Sequence, residues 1–185
     1  VDSAEAYAKF ATAPKHGRII KSILWLARVG AEDDGTAKYA TERGMEPESP
    51  AQFHARHIGL AMPGAATAVA TGPLPQGGRE GSVAWLQFSS IVDMEQEYVA
   101  VAVGTDARLP SVWIAPEDVG APGIGAELPA AAEAAMTAGY GLATAHRSAC
   151  VYMRTEGTTP GSEIDRFAGE AQRIIALLEG SPQSP

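Results

Sequence analysis

The sequence predicts an α+β fold, with a mixed or antiparallel sheet of about five strands packed by N-terminal helices and by a C-terminal amphipathic helix. Residues 81–104 alternate in hydropathy with a period of two, which is typical of β-strands. Residues 162–180 place apolar side chains every three or four positions, as an amphipathic helix does. Helices come first, strands follow with one helix among them, and a helix closes the chain. This order favours segregated elements over regular βαβ units.

Length and composition predict a single domain over residues 1–180, followed by a frayed tail at 181–185. Hydrophobic residues make up 45% and charged residues 19%, the balance of a globular protein. The net charge is −8, and no cluster of Lys and Arg is present to neutralise phosphates. We therefore expect no nucleic-acid binding. The one cysteine, Cys150, cannot form an internal disulfide, which suits a cytoplasmic location.

The first helical region covers residues 3–29, and Pro14 and Gly17 divide it. Its second part, IIKSILWLARV over 19–29, is apolar nearly all round, so it lies deep or is covered by another chain. It is too short for the ~20 residues that cross a bilayer, so we expect no membrane insertion by this chain. A start at Val1 leaves open a truncation after an anchor, which would place the domain at the cytoplasmic face of a membrane. The predicted interface residues are Ile19, Ile20, Ile23, Leu24 and Trp25.

A second helix is predicted over 36–43, before Gly44. Residues 45–64 contain three prolines and no steady period, which predicts a loop with one helical turn near 53–57. A short strand follows over 65–72, and the sequence PLPQGGREG then predicts a turn.

The centre of the chain predicts two neighbouring strands. In the first, Val83, Trp85 and Gln87 share a face, and in the second Val99, Val101 and Val103 do. Their polar connection has no Asn-Gly or Asp-Gly pair, which predicts antiparallel pairing through a wide loop. Both faces are mostly apolar, so we expect these strands to be central in the sheet.

The last third predicts a separate strand over 111–115, an irregular segment over 116–129 and a helix over 130–138. Residues 142–146 and 149–154 are expected to form a hairpin. The closing helix is predicted to begin at Ser162 as N-cap and to end at Gly180. Its apolar stripe consists of Ile164, Phe167, Ala168, Ala171, Ile174, Ile175 and Leu178.

Several segments in succession resemble an uncharacterised bacterial family of small α+β domains of unknown function. They are TERGMEP, then AVATGPLPQGGREGSVAWLQFSS, then VAVGTDARLPSVWIAPEDVG, followed by the predicted hairpin and helix. The family has a strand ending in TG, a Gly-rich turn, an aromatic strand and a segment of the form LPxLxVxPE, here Leu109 to Glu117. The resemblance covers about residues 38–179. It implies a small module often preceded by membrane anchors, and it carries over no catalytic residue.

The most suggestive polar motif is HARH, in which His54 and His57 are three residues apart. His146 and Cys150 are four apart, and imidazole with thiolate suits zinc. The residues around Cys150 look extended, which would separate that second pair by about 13 Å. Two ordinary histidines in a solvated loop explain HARH more simply, since structural zinc sites show tighter ligand runs. Cys150 is better explained as a small core residue, and no cofactor is predicted.

A hydrolase triad would combine Ser89 or Ser90 with Asp93 and His146, but no G-x-S-x-G motif supports it. The sequence is best interpreted as a non-enzymatic interaction module that binds a protein partner or a second copy of itself. The alternative is a small-ligand-binding protein or a metal-dependent enzyme with a pocket between the sheet and the C-terminal helix.

Overall fold

A computed structural model describes residues 36–88, 96–115, 128–156 and 159–180. Within them the predicted α+β fold is confirmed, with helices and an antiparallel sheet in segregated order. In chain order the elements are α1 over residues 36–42, β1 Glu46–Glu48, α2 Pro50–Arg56, β2 Ala65–Pro73, β3 Glu80–Phe88, β4 Gln96–Ile114, α3 Pro129–Ala138, β5 Gly141–Thr155 and α4 Gly161–Glu179.

The sheet is a meander in which each described strand pairs with the next along the chain, in the order β1-β2-β3-β4-β5. All four pairings are antiparallel. The predicted central pair is confirmed, with Val83 opposite Val101 and Trp85 opposite Val99. The connection over 89–95 lies outside the described residues. Alternation along β3 and β4 therefore sends one set of side chains to each face of the sheet.

Helices α1, α3 and α4 cover one face of the sheet, where Val83, Val99 and Val101 belong to the larger apolar cluster. The predicted stripe of α4 is confirmed, because all of its members are buried: Ile164, Phe167, Ala168, Ala171, Ile174, Ile175 and Leu178. Burying each large apolar side chain contributes about 1.5–3 kcal/mol. The opposite face carries a second cluster, in which Phe53 from α2 packs over the sheet. Two layers thus bury both sides of the central strands.

Strands β4 and β5 are longer than the sequence indicated. The separate strand over 111–115 and the hairpin of 142–146 with 149–154 were wrong predictions. Each strand is continuous, and the two pair from Glu97↔Thr155 to Ile114↔Leu142. The residues that suggested turns instead form an irregularity in the pairing of two continuous strands. Gly104 pairs with Ser148 and Leu109 pairs with His146, so β4 advances by five residues where β5 advances by two. His146 accommodates the bend with a φ of 53°.

The loop prediction for 45–64 was also wrong in part, since this segment contains β1 and α2. A capping box starts α2: the Ser49 side chain accepts from the backbone of Gln52, whose side chain accepts from the backbone of Ser49. Pro50 then occupies the first turn, where its missing N–H costs nothing. Local capping therefore forms a helix of only seven residues without a long apolar period.

The ends of the other helices show one success and one error. Helix α3 ends before Gly139, whose φ of 72° confirms the predicted cap. Helix α4 begins at Gly161 after Pro160, so Ser162 is not its N-cap. The helices predicted within 3–29 lie outside the described residues, as do the interface residues Ile19, Ile20, Ile23, Leu24 and Trp25. None of the described helices combines the length and hydropathy that crossing a membrane requires.

Candidate functional site

A shallow groove of about 430 Å³ runs along the outer side of α3 and α4. It is open to solvent rather than enclosed. Two helices that pack on the same face of a sheet leave such a groove wherever their facing side chains are small. Its lining residues are Ala134, Ala138, Tyr140, Arg166, Glu170, Arg173 and Ile174.

The floor of the groove is apolar and thin. From α3 it receives Ala134 and Ala138, one helical turn apart, and from α4 it receives the buried Ile174. On the opposite side of α3, Ala131 and Ala135 are buried against the core. Because alanine adds little bulk on either side of α3, the backbone of a third element can approach closely.

The rim of the groove is charged. Arg166 and Arg173 are seven residues apart on α4, which places them on one side of the helix and about 10.5 Å apart along its axis. Arg166 lies 4.0 Å from Glu163, and both side chains are largely exposed, so this ion pair adds little stability. Arg173 makes no ion pair with any residue in the described part of the chain. The guanidinium groups are therefore accessible to an added anion.

Glu170 lies between the two arginines and is held in place by Tyr140. The Tyr140 hydroxyl donates a hydrogen bond to Oε2 of Glu170, and its ring packs edge-on against Phe167 at 5.0 Å. Burial, reinforced by the neighbouring carboxylate, raises the pKa of Tyr140 to about 12, so the hydroxyl remains a donor at neutral pH. Oε1 of Glu170 makes no hydrogen bond within the described residues. The rim thus presents alternating charges in fixed order.

The predicted zinc ligands belong to a different region, at the C-terminal end of α2. His57 is 3% exposed, and its Nδ1 lies 3.2 Å from Oγ of Ser148 on β5. Its ring lies 5.1 Å from that of Phe53, and its Nε2 is buried with no hydrogen-bond partner. Burial, with Arg56 and His54 adding positive charge nearby, lowers the pKa of His57 to about 4. The imidazole is therefore neutral at neutral pH.

Within the part of the chain that the structure describes, no further metal ligand joins the histidine pair. His54 is exposed on the last turn of α2, while His57 contacts Ser148. In the described residues no group of three or more His, Cys, Asp or Glu side chains is arranged to hold a metal. Zinc binding by His54 and His57 stays a prediction. The extended relation of His146 to Cys150 is confirmed, because both lie on β5.

Cys150 is confirmed as a core residue. Its side chain is fully buried in the apolar cluster beneath α2, and burial raises the pKa of its thiol to about 12. Such a thiol is neither a nucleophile nor a metal ligand at neutral pH. Ser89, Ser90 and Asp93, the other members of the hydrolase triad considered with His146, lie outside the described residues.

A polar cluster fixes α1 against the start of α4. Nε and Nη2 of Arg43 lie 2.5 and 2.8 Å from the two carboxylate oxygens of Asp165. The Tyr39 hydroxyl donates to the same carboxylate at 3.1 Å, and the guanidinium lies 4.0 Å from the centre of the Tyr39 ring. Asp165 thus accepts from both Arg43 and Tyr39, and these bonds join the end of α1 to the first turns of α4, the helix that carries the groove.

The sequence did not identify the groove, although a signal was present. Glu163, Arg166, Glu170 and Arg173 follow one another at spacings of three, four and three on one strip of α4.

Comparison with protein-family models, with curated proteins and with solved structures found no match to this chain. The resemblance to an uncharacterised bacterial family stays a prediction.

Proposed function

We propose that this domain is a non-enzymatic interaction module, which docks a helical segment of a protein partner along the groove between α3 and α4. One observation carries the proposal: Arg166 and Arg173 line an open groove together with the small apolar side chains of Ala134 and Ala138. Apolar contact with flanking charges is the arrangement by which grooves bind amphipathic helices.

The spacing of the arginines defines the chemistry of the partner. Two guanidinium groups two turns apart match carboxylates that are also seven residues apart on a helix aligned with α4. The small side chains of Ala134 and Ala138 suit the interaxial distance of about 8–10 Å at which helices pack. Each exposed ion pair contributes only about 0.2–1 kcal/mol, so the pairs fix orientation while the apolar floor supplies affinity.

The second interpretation, a pocket between the sheet and α4, has less support. Phe167, Ala171 and Ile175 fill this layer and are buried there. A small-molecule site usually encloses most of its ligand, whereas the groove outside α4 is open. A reducing compartment, the cytoplasm or the cytoplasmic face of a membrane, suits the unpaired Cys150.

The proposal is tested by titrating the ¹⁵N-labelled domain with a helical Ala/Leu-rich peptide that carries two glutamates seven positions apart. We expect chemical-shift changes confined to the groove, at Ala134, Ala138 and Ile174. Arg173→Gln should weaken binding by up to about fivefold, which corresponds to the loss of one exposed ion pair. The matched control, Arg154→Gln, removes an exposed arginine from β5 and should leave the affinity unchanged. Shifts centred elsewhere, or no binding at millimolar peptide, would contradict the proposal.

A further inference from the structure

The outer strip of α4 has a charge order that is complementary to its own reverse. From the N-terminal end it runs Glu163, Arg166, Glu170, Arg173. Read from the other end, the same strip presents positive, negative, positive and negative charges. The two acidic residues are seven apart, as are the two arginines. The outer strip of α4 therefore carries both the arginine spacing of the groove and a matching carboxylate spacing, while its apolar side chains stay buried in its own core.

An antiparallel pairing of two such helices has a single register in which every charge meets its opposite. With the two-fold axis at the level of position 168 along the helix, Glu163 faces Arg173 of the second copy, and Arg166 faces Glu170 of the second copy. Both contacts occur twice because the arrangement is isologous. A parallel arrangement would oppose like charges at all four positions, which disfavours it.

We propose that the segment docked in the groove is α4 of a second copy of this chain, in an antiparallel homodimer whose two-fold axis passes at the level of position 168. This inference rests on the proposed function and names its partner.

The side chains are disposed to make these contacts. The side chains of Glu163 and Arg166 are 47% and 68% exposed, so both can reorient towards a second copy. Tyr140 occupies only Oε2 of Glu170, which leaves Oε1 for an incoming guanidinium. The chain carries a net charge of −8, so two copies repel each other at long range. Dimerisation is therefore expected to be weak and dependent on salt.

Two single charge reversals test the pairing. In Glu163→Arg, positions 163 and 173 are both basic, and in Arg173→Glu both are acidic. Each variant alone opposes like charges twice in the homodimer. Mixed together, they form a heterodimer in which both contacts are attractive again. Because both positions are exposed on the surface of α4, neither substitution disturbs the core.

Sedimentation velocity of the full chain, up to about 1 mM protein in about 50 mM salt, measures the association. We expect the wild type to dimerise, each variant to raise the dimer Kd at least about tenfold, and the equimolar mixture to return to the wild-type Kd. The double variant Glu163→Arg/Arg173→Glu should also dimerise like the wild type.

Three outcomes would overturn the inference: a wild type that stays monomeric throughout, a dimer that neither reversal weakens, or a mixture that does not recover. Circular dichroism of each variant checks that the fold is retained.

The acidic peptide separates this inference from the proposed function. Glu163→Arg keeps both arginines and should still bind the peptide while its self-association is lost. If the peptide binds in the groove but the wild type never dimerises, the docking function stands and only the second copy is excluded.

Discussion

Replacing Asp165 by Asn tests whether the polar cluster between α1 and α4 stabilises the fold. The substitution keeps the size and shape of the side chain and removes its charge. Asn retains one acceptor oxygen, but its amide NH₂ group replaces the other. That NH₂ group then faces a second donor, either Nε or Nη2 of Arg43. One charge-assisted hydrogen bond is therefore replaced by two facing donors, and Tyr39 competes for the remaining oxygen.

The burial of the pair sets the expected magnitude. The side chains of Arg43 and Asp165 are 18% and 27% exposed, so solvent screens their interaction only in part. Hydrogen bonds to charged groups contribute about 1.5–3 kcal/mol each, and partial exposure places the expected loss for Asp165→Asn near 2 kcal/mol. In a domain of this size that corresponds to a decrease in Tm of about 4–8 °C.

Urea unfolding followed by circular dichroism measures the change, and Glu42 offers a matched control. Glu42 contacts the same guanidinium at 3.1 Å but is 53% exposed. Glu42→Gln should therefore cost less than about 0.5 kcal/mol. A double-mutant cycle of Asp165→Asn with Arg43→Gln should give a coupling energy of about 1–2 kcal/mol. If Asp165→Asn and Glu42→Gln have equal small effects, or the coupling energy is zero, the cluster does not stabilise the fold as reasoned.

Three further outcomes follow from the buried groups. The folded pKa of His57, about 4, lies below its unfolded value near 6.5. The stability that the neutral imidazole contributes is therefore fully present above pH 6.5, and up to about 3 kcal/mol of it is lost as the pH falls towards 4. Urea unfolding should show this extra acid sensitivity in the wild type and not in His57→Gln. Gly141→Ala would place a Cβ 2.1 Å from the buried Tyr152 ring and should cost about 1–3 kcal/mol or more, while Gly104→Ala, whose Cβ meets nothing closer than 4.0 Å, should cost less than about 1 kcal/mol. Cys150 should resist a thiol reagent at pH 8 in the native protein and react stoichiometrically in urea; rapid native labelling would show that the cluster beneath α2 opens.

The elements with the clearest periodicity are those that could be predicted from the sequence. The alternation along β3 and β4 and the apolar stripe from Ile164 to Leu178 mark the side chains that face the core. Because burial selects apolar residues at the period of each element, the sequence alone reveals these faces. The cap at Gly139 was predictable for a local reason, because a left-handed residue strongly favours glycine.

The errors arose where a neighbouring element decides the conformation. Arg147 and Ser148 interrupt the apolar pattern of β5 and suggest a turn, yet β4 pairs on both sides of them. The shift in register that keeps both strands continuous depends on the partner strand, which the local sequence does not contain. The groove was missed for a similar reason, since the role of Arg166 and Arg173 depends on α3 presenting Ala134 and Ala138 beside them.

The strength of the proposed dimer is limited by the helix that forms it. Four exposed ion pairs supply about 1–4 kcal/mol in total, whereas association costs at least about 4 kcal/mol in lost freedom of motion. Contact with Ala134 and Ala138 must supply the rest, and these small side chains bury little area, while Ile174 is already buried in the core. The dimer is therefore expected to be weak, with a Kd no tighter than about 1 mM. At that affinity two copies pair only where they are held close together, because tethering raises their effective concentration into the millimolar range. The same weakness makes the pairing reversible.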